Sequence, residues 1–375
     1  MALMFELIHQ SKKSMARVGR IHTPHGVIDT PGFVAVGTNG TLKALDNETV
    51  VQAGLQLMFC NTYHLMLQPG TEVVKQAGGL HKFIKRDKPI ITDSGGFQVF
   101  SLAYGGVASE LKSQGTKKTG GSVLKIDEEG VEFRSYRDGS KIKLTAETSV
   151  QAQKDLGADI IIPFDELPPY HIKKEALIES LERTHRWEKR SLDYHLKNPN
   201  NQAMYAVVHG GVDEELRRQS AKFADGLPFD GFAIGGSLGK TKDQLFEVLE
   251  YTTKHLDPSR PRHLLGIGDL YSIQESVKWG LDTFDSSYPT RSARHGVVLT
   301  SQGTVNFTLG KQKTNFNPID PECSCHTCRN YTIAYLHHLF KAKEATVLTL
   351  ASLHNLTRMV KVMADLRESI LRDEI

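Results

Sequence analysis

The stretch "ADIIIPFDE", residues 158–166, is the clearest guide to the fold. Its apolar residues run without the polar alternation of a half-exposed strand, which is typical of a parallel strand covered on both faces. Polar residues then close the run. Seven other runs share this form, and in chain order the eight are "GFVAVGTNG" (32–40), "LQLMFCNTYH" (55–64), "KPIITDSGG" (88–96), "ADIIIPFDE" (158–166), "MYAVVHGG" (204–211), "DGFAIGG" (230–236), "RHLLGIG" (262–268) and "LDTFDSSYP" (281–289).

Helical patterns fill most of the gaps between these runs. Examples are "KKEALIESLERTHRWEKRSL" (173–192) and "KDQLFEVLEYTTKHL" (242–256). A strand followed by a helix, repeated eight times, predicts an α/β protein with the (β/α)8 architecture of a TIM barrel. A doubly wound open sheet is the alternative on pattern alone, because it uses the same alternation.

Three segments fall outside this alternation. The residues before Gly32 predict a small β element that caps the bottom of the barrel. "SVLKIDEEGVEFRSYRDGSKIKL" (122–144) predicts an inserted antiparallel β-hairpin with its turn at Asp138-Gly139, and a Gly/Lys/Ser-rich stretch precedes it at 105–121. We therefore predict a catalytic barrel over 1–300, including an insertion at 97–145, and a helical C-terminal subdomain over 301–375.

Composition restricts the possible compartments and partners. The net charge of the 375 residues is +3, too weakly basic to indicate nucleic acid by itself. No stretch approaches the roughly 18 apolar residues of a membrane span, so no membrane partner is expected. Charged residues interrupt the N-terminus too early for a secretory signal. We expect a cytoplasmic protein.

Three of the four cysteines lie in "CSCHTC", residues 323–328. Clustered thiols in a reducing compartment indicate a metal site, whereas a disulfide framework would spread its cysteines along the chain. Cys323, Cys325 and Cys328 supply three thiolates, and tetrahedral zinc needs a fourth ligand. His326, His337, His338 and His354 are candidates. His326 is pinned between cysteines, whereas His354 can return to the site after an intervening helix. Four protein ligands would make the zinc structural, with one ion per chain.

Polar residues and glycines follow the predicted barrel strands. Barrel enzymes place their reactive groups at these C-terminal strand ends. Two carboxylates across a pocket suit acid/base and nucleophilic work at an anomeric carbon, although an aspartate in such a place can also simply cap the next helix. Glycine pairs can bring bare backbone N–H groups close to a ligand, although turn geometry alone is the better explanation for any single pair. The residues at these ends are Asp93, Asp165, His209, Gly235-Gly236 and Asp285.

Two arginines follow the last barrel strand at the same end. Arg291 and Arg294 lie in "FDSSYPTRSARHG", residues 284–296. A guanidinium fork matches the oxygens of a phosphate group, so these side chains predict an anionic ligand beside Asp285. Surface charges paired with acidic residues are the alternative.

Several motifs taken together resemble the tRNA-guanine transglycosylase family. The likeness runs from Gly32 to the C-terminal helix and depends on the order and spacing of the motifs, since each alone is weak. C-x-C-x-x-C with a distant histidine belongs to the same set, and the remaining motifs are "NTYHLMLQPG" (61–70), "TDSGGFQVFSL" (92–102), FDE-x-x-PY (164–170), "FAIGG" (232–236) and "FDSSYPTRSAR" (284–294).

The resemblance implies exchange of a base in tRNA. Members of the family remove guanine from the wobble position of tRNAs with GUN anticodons, those for aspartate, asparagine, histidine and tyrosine, and insert a 7-deazaguanine. By this resemblance Asp285 is the nucleophile that attacks C1′ of the ribose and forms a covalent intermediate. Asp93 is the general acid/base that protonates the leaving base and later deprotonates the incoming one.

The resemblance also implies how the base and the phosphates are held. Asp165 reads the polar edge of the base, Gly236 of the Gly235-Gly236 pair donates a backbone N–H to its carbonyl, and Phe97 stacks on its ring. Arg291 and Arg294 hold phosphates around the flipped nucleotide. Members usually act as homodimers, so a homodimer is expected here.

Some positions depart from the family pattern. His209 replaces a glutamine that usually contacts the base, and Leu167 replaces a frequent cysteine. Gly239 is glycine, as in eukaryotic members, where bacterial members tend to have valine, and the acidic residue that usually follows is missing. These features predict that the chain accepts queuine, with its bulky cyclopentenediol, and raise the hypothesis that it prefers queuine to preQ1.

Two other functions compete with this prediction. A catalytically silent tRNA-binding partner subunit would keep the fold and zinc but lose the active aspartates, and this chain retains Asp93, Asp165 and Asp285. A glycoside hydrolase on the same barrel would use two carboxylates but would leave the arginines and the zinc site unexplained.

Overall fold

The computed structural model describes residues 3–104 and 123–375. Its strands are β1 (Met4–Gln10), β2 (Arg17–Thr23), β3 (Gly26–Thr30), β4 (Gly32–Val36), β5 (Leu57–Cys60), β6 (Ile90–Thr92), β7 (Val123–Ile126), β8 (Gly130–Arg134), β9 (Lys141–Thr145), β10 (Ile160–Ile161), β11 (Ala203–Val208), β12 (Gly231–Ile234), β13 (Arg262–Leu264), β14 (Thr283–Ser286), β15 (Val297–Thr300) and β16 (Gly303–Asn306). Its α-helices are α1 (Asn47–Gln52), α2 (Thr62–Leu67), α3 (Thr71–Gln76), α4 (Leu80–Phe83), α5 (Gly96–Tyr104), α6 (Ala146–Leu156), α7 (Lys174–Leu196), α8 (Glu214–Asp225), α9 (Lys242–Thr253), α10 (Leu270–Ser276), α11 (Tyr288–Arg294), α12 (His326–Asn330), α13 (Ile333–Lys341) and α14 (Thr346–Leu371).

The eight apolar runs form the eight strands of a closed parallel barrel. The strand order is β4-β5-β6-β10-β11-β12-β13-β14, and β14 pairs with β4 to complete the ring. Helices surround the barrel, as in other α/β barrels. The predicted TIM barrel is therefore confirmed, and the open-sheet alternative is wrong because an open sheet would leave two strands with an unpaired edge.

A three-stranded antiparallel sheet, β1-β2-β3, closes the end at which the barrel strands begin. Ile21 and Ile28 of this sheet pack in the barrel interior with Val34 and Leu57. Arg17, at the start of β2, forms a buried ion pair with Asp282, just before β14. This is the β element that was predicted at the barrel bottom.

The insertion contains one more strand than the predicted hairpin. β8 and β9 form the expected hairpin around Asp138-Gly139, and β7 adds to the free edge of β8. A second turn makes this possible, because the Asp127 carboxylate accepts the N–H groups of Glu129 and Gly130 between β7 and β8. The Gly/Lys/Ser-rich stretch at 105–121 lies outside the described residues.

Helix α14 contacts two separate groups of apolar residues. Its first turns pack through Val347 and Leu350 against the cysteine-containing segment. Its later turns pack through Leu356 and Met359 into the main barrel core. The predicted division of the chain at residue 300 stays a prediction. None of the described helices combines the length and apolar character that a membrane span needs.

Candidate active site and metal cluster

Asp93 directly follows β6 and is buried at the mouth of the barrel. Its Oδ1 accepts the backbone N–H of Thr62 at 2.8 Å. Its Oδ2 accepts from the side-chain amides of Asn61 and Gln98, both at 2.7 Å. Burial raises the pKa of Asp93 to about 6, and the charge of Asp165 adds to this, although the three hydrogen bonds act in the opposite direction. A carboxyl group with this pKa can carry or release a proton near neutral pH.

Asp165 lies beyond β10 and is hydrogen-bonded through both oxygens. Ser94 Oγ donates to Oδ1 at 2.7 Å, and His209 Nε2 lies 2.9 Å from Oδ2. Ser94 is the residue next to Asp93, so the two predicted carboxylates belong to one connected group. Gly96 lets the backbone approach this group closely, because an added Cβ there would lie 2.6 Å from the Asp165 carbonyl oxygen.

Asp285, within β14, is buried and has two different carboxylate oxygens. Oδ1 accepts the backbone N–H of Gly266 at 2.9 Å and lies 3.1 Å from Nε2 of His263. Oδ2 has no hydrogen-bond partner among the described residues. His263 is fully buried on the neighbouring strand β13, and its Nδ1 lies 2.8 Å from the Thr283 hydroxyl. One oxygen of Asp285 is therefore fixed and the other is free.

The predicted base-binding residues lie on neighbouring strand ends. Gly236, just after β12, has a φ of +74°, and an added Cβ would lie 2.8 Å from Nδ1 of His209. Gly235 packs against Leu265 and Val207 in the same way. Phe97, in the first turn of α5, exposes 45% of its surface, which is unusual for a phenylalanine at a helix start.

Gly239 is placed differently from the other glycines. Its φ is +101°, and an added Cβ would lie 2.5 Å from Cβ of Gln244 in α9. A side chain here would be strained and would collide with the helix. Gln244 in turn accepts the backbone N–H of Lys240 at 2.8 Å.

Arg291 and Arg294 lie on α11, directly after the strand that carries Asp285. Arg291 is exposed, whereas Arg294 is half-buried, and its Nη1 is buried without a hydrogen-bond partner among the described residues. Burial and the charge of Arg291 lower the pKa of Arg294. A buried guanidinium nitrogen without a partner among the described residues, beside a second cation, is an arrangement that an anion would stabilise.

A cavity of about 260 Å³ opens beside His209 and Gly236. Its wall is partly apolar, from Leu177, Leu181 and Val212. Polar groups converge on it as well, which is typical of a site for a small organic group. Sequence patterns gave no sign of this cavity.

The four predicted zinc ligands form a single cluster. Cys323, Cys325, Cys328 and His354 place their ligand atoms within 4.8 Å of one another. Nδ1 of His354 lies 3.6 Å from Cys325 Sγ and 3.2 Å from Cys328 Sγ, close to the separations around tetrahedral zinc. These residues fit a structural zinc ion.

The orientation of His354 also suits a metal. Its Nε2 lies 2.6 Å from the Leu299 carbonyl, so Nε2 carries the proton and Nδ1 is left as the ligand. His337 instead uses its Nδ1 against the Phe307 carbonyl, and His326 and His338 are exposed. The structure thus separates His354 from the other three candidates.

Sequence patterns missed the residues that hold the aspartates. They are Asn61, Thr62, Ser94, Gln98, His263 and Gly266. Asn61, Ser94 and Gln98 lie inside motifs that were noticed, but only the folded barrel shows which carboxylate each one contacts.

Comparisons with known proteins find similarity over nearly the whole chain. The family model described as "Queuine tRNA-ribosyltransferase" matches residues 11–375. The queuine tRNA-ribosyltransferase of Protochlamydia amoebophila (strain UWE25) is 67% identical over 99% of this chain and 96% of its own length. Those of Chlamydia felis and Chlamydia trachomatis serovar L2 are 58% and 57% identical, with full coverage of both chains.

Proposed function

The chain belongs to the queuine tRNA-ribosyltransferase family, and from this premise we propose that it replaces the wobble guanine of tRNAs with GUN anticodons by a 7-deazaguanine. It is a pentosyltransferase with tRNA-guanine transglycosylase activity. The observation that carries the proposal is the pair of buried carboxylates at one mouth, Asp93 and Asp285, in unlike surroundings. Environments of that kind separate acid/base and nucleophilic roles.

Asp285 is the nucleophile in this proposal. One carboxylate oxygen attacks C1′ of the ribose, the bond from C1′ to N9 breaks, and a covalent Asp285–ribose ester forms. Asp93 gives its proton to N9 of the departing guanine. A pKa of about 6 supports this role, because part of the population is protonated near neutral pH and the ionised form can later accept a proton from the incoming base.

Recognition of the base is assigned to the group around Asp165. A carboxylate accepts hydrogen bonds only, so Asp165 suits the N–H edge of guanine. His209 and Ser94 hold this carboxylate in place. The Gly236 N–H binds the base carbonyl, and the exposed ring of Phe97 stacks on the base.

Arg291 and Arg294 hold the phosphates next to the flipped nucleotide. Nη1 of Arg294, which has no hydrogen-bond partner in the part of the chain that the structure describes, supports this assignment. Flipping costs little here, because a base in an anticodon loop is already outside a duplex. The zinc ion is structural and takes no part in the exchange.

Queuine is the proposed incoming base. The cavity beside His209 and Gly236 supports this proposal, because it could hold the bulky cyclopentenediol of queuine. Leu177→Trp would fill part of this cavity, and kcat/KM for queuine should fall at least about 10-fold while guanine exchange changes little. Leu196→Trp, at the exposed end of the same helix, is the control. A much higher kcat/KM for preQ1 than for queuine would refute the preference.

Two further assignments complete the proposal. The enzyme acts as a homodimer, and it acts in the cytoplasm, where mature tRNA is found. The homodimer is supported by exposed aromatic side chains of the C-terminal segment, including Phe316 and Tyr335, which are 73% and 41% exposed.

The decisive experiment is incorporation of labelled guanine into an unmodified tRNA-Tyr transcript. Wild type should exchange, whereas Asp285→Asn and Asp93→Asn should lose nearly all activity. Asp87→Asn is a matched control, because Asp87 is exposed and precedes β6, the strand that Asp93 follows. Covalent RNA should be trapped on denaturing gels with wild type and be absent with Asp285→Asn.

Two outcomes of this experiment would contradict parts of the proposal. Absence of exchange by a folded, zinc-loaded wild type would contradict the proposed activity and favour the silent tRNA-binding subunit. Exchange that survives in Asp285→Asn would contradict the assigned nucleophile alone.

A further inference from the structure

We propose that His263 is a positioning residue for the exchange and that it makes Oδ2 of Asp285 the attacking oxygen. Thr283 fixes the tautomer of the His263 ring. This inference rests on the proposed function. It concerns three residues that lie on two adjacent strands, β13 and β14.

The register of the barrel brings these residues together. His263 pairs with Thr283 across the parallel strands β13 and β14. Thr283 and Asp285 are two residues apart on one strand, so their side chains point to the same face. The ring of His263 therefore reaches both of them, with Nδ1 2.8 Å from the Thr283 hydroxyl and Nε2 3.1 Å from Asp285 Oδ1.

The hydrogen bonds determine which ring nitrogen carries the proton. A carboxylate accepts only, so Nε2 of His263 must donate to Asp285 Oδ1. Nδ1 of the neutral ring is then an acceptor, and the Thr283 hydroxyl donates to it. His263 and Thr283 are 0% and 2% exposed, so water does not compete for these contacts.

Asp285 is consequently asymmetric before any substrate arrives. Oδ1 receives two N–H groups, one from His263 and one from the Gly266 backbone at 2.9 Å. Within residues 3–104 and 123–375, no group donates to Oδ2. A lone pair of Oδ2 is free to form the bond to C1′, and Oδ1 becomes the carbonyl oxygen of the ester.

The two N–H groups also affect the second half of the reaction. N9 of the incoming base attacks C1′, the bond from C1′ to Oδ2 breaks, and its electron pair returns to the carboxylate while Asp93 takes the proton from N9. Hydrogen bonds to an ionised acceptor are about twice as strong as those to a neutral one. Donors on Oδ1 therefore favour Asp285 as a leaving carboxylate over Asp285 in the ester.

The test compares variants at His263. His263→Leu removes the donor, and kcat should fall about 10- to 100-fold with KM for tRNA nearly unchanged, since the interaction matters for reaction geometry rather than binding. The fraction of enzyme trapped as covalent RNA at steady state should rise. His263→Gln keeps an N–H at a similar reach and should recover much of kcat and lower the trapped fraction.

Thr283→Val probes the tautomer. It removes the hydroxyl without changing the shape of the side chain, and a smaller loss of kcat, about 3- to 10-fold, should accompany a raised trapped fraction. Thr252→Val is the matched control, because its buried hydroxyl has no partner among the described residues. Zinc content and the thermal unfolding midpoint of every variant show whether it is folded.

The outcomes separate this inference from the proposed function. If wild type does not exchange guanine, the proposed function fails. If wild type exchanges but folded His263→Leu keeps its kcat and its trapped fraction, the inference alone is wrong. An equal loss of kcat in His263→Gln and His263→Leu, with no change in the trapped fraction, would also contradict the inference. It would mean that His263 contributes only packing.

Discussion

Asp93 has opposing influences on its carboxyl group. Burial favours the neutral form, while three N–H donors favour the ionised form. Burial prevails and the pKa rises from 3.8 to about 6. With this pKa, the Asp93 carboxyl group can both donate and accept a proton near neutral pH. At neutral pH most of the population is ionised, and the buried charge destabilises the folded protein.

This cost should be measurable as a pH dependence of stability. Because the folded-state pKa exceeds the unfolded-state value, stability falls as pH rises from 3.8 to about 6 and then stays level, with a total loss of about 3 kcal/mol. Asp93→Asn lacks this titration. The free energy of unfolding of this variant, relative to that of wild type, should therefore be about 1 kcal/mol higher at pH 7.5 than at pH 5.

Thermal or urea unfolding at the two pH values tests this expectation. Asp87→Asn, at an exposed position, should show the same offset from wild type at both. An Asp93→Asn offset that does not change with pH would mean that the carboxyl is not held neutral in the fold.

At the same scale, the aspartates could be predicted from sequence and their partners could not. Asp93 and Asp285 follow or end apolar runs, and the barrel rule places such residues at one mouth. His263 has no such pattern, because it looks like an ordinary strand residue in "RHLLGIG". Its role depends on register with Thr283, which exists only once β13 and β14 are paired.

Among the elements, β10 shows why the strand pattern was right although the strand itself is short. The run that best predicted the fold forms only Ile160–Ile161. Beyond it, the side chain of Gln153 replaces a neighbouring strand, accepting the N–H of Ile162 at 2.9 Å and donating to its carbonyl at 2.7 Å. Periodicity detects burial, and it cannot distinguish hydrogen bonds to a strand from hydrogen bonds to a side chain.

Helix α14 links the metal cluster to the segment after Asp285. His354 is a predicted ligand, and its neighbour Asn355 donates to the carbonyls of Pro289 and Val297 and accepts the N–H of Leu299. Pro289 lies in α11, the helix of the two arginines. Loss of the metal should therefore disturb the proposed phosphate-binding residues as well as the cluster.

Cys328→Ser is predicted to lose zinc, to cost about 3–5 kcal/mol of stability, and to weaken tRNA binding. Metal analysis, thermal unfolding and a tRNA-binding titration measure these effects. His326→Asn, an exposed change between two ligands, should leave all three unchanged. Full tRNA affinity in zinc-free protein would refute the link through Asn355.

A second group of possible metal ligands lies at the opposite end of the barrel. Asp159 contacts His25 at 2.7 Å and His81 at 3.1 Å. The two rings are stacked 3.5 Å apart and nearly parallel. A metal ion must lie in the plane of each coordinating ring, and these planes do not meet at one point near the carboxylate. The geometry instead suits a hydrogen-bonded contact between sheet β1-β2-β3 and the barrel.

Metal stoichiometry checks this interpretation. We expect one zinc per chain, retained in His81→Asn and lost in His354→Ala. His81→Asn should lower the unfolding midpoint, because it removes a partner of a buried carboxylate. Two equivalents of metal in wild type, with one lost in His81→Asn, would show that the cluster binds an ion.

For the molecule as a whole, the exposed aromatic patch is defined by Phe316, Tyr331, Tyr335 and His338. The rings of Tyr331 and Tyr335 are stacked 5.4 Å apart, and His338 continues the row. Backbone hydrogen bonds from Ile333 and Ala334 to residues 317 and 315 place Phe316 beside it. Exposed aromatic groups of this kind are typical of protein–protein interfaces.

Tyr335→Ala should weaken the proposed homodimer at least about 10-fold, because central aromatic side chains carry much of the binding energy of an interface. Analytical ultracentrifugation over a range of concentrations measures the dissociation constant. Phe83→Ala, an exposed aromatic change on α4, is the control. A dimer of unchanged strength would move the interface to another surface.

Because α14 packs against both the cysteine-containing segment and the barrel core, the amount of folded protein in a cell should depend on zinc. One unbroken helix carries His354 of the proposed zinc cluster and Leu356 and Met359 of the barrel core, so a chain without the proposed ion should have a less well packed barrel wall. Such chains should be removed by proteases more often than they persist as slow enzymes. A cell short of zinc would then contain fewer copies of this protein, each working at its normal rate, and the shortage would be recorded in the fraction of tRNA left unmodified.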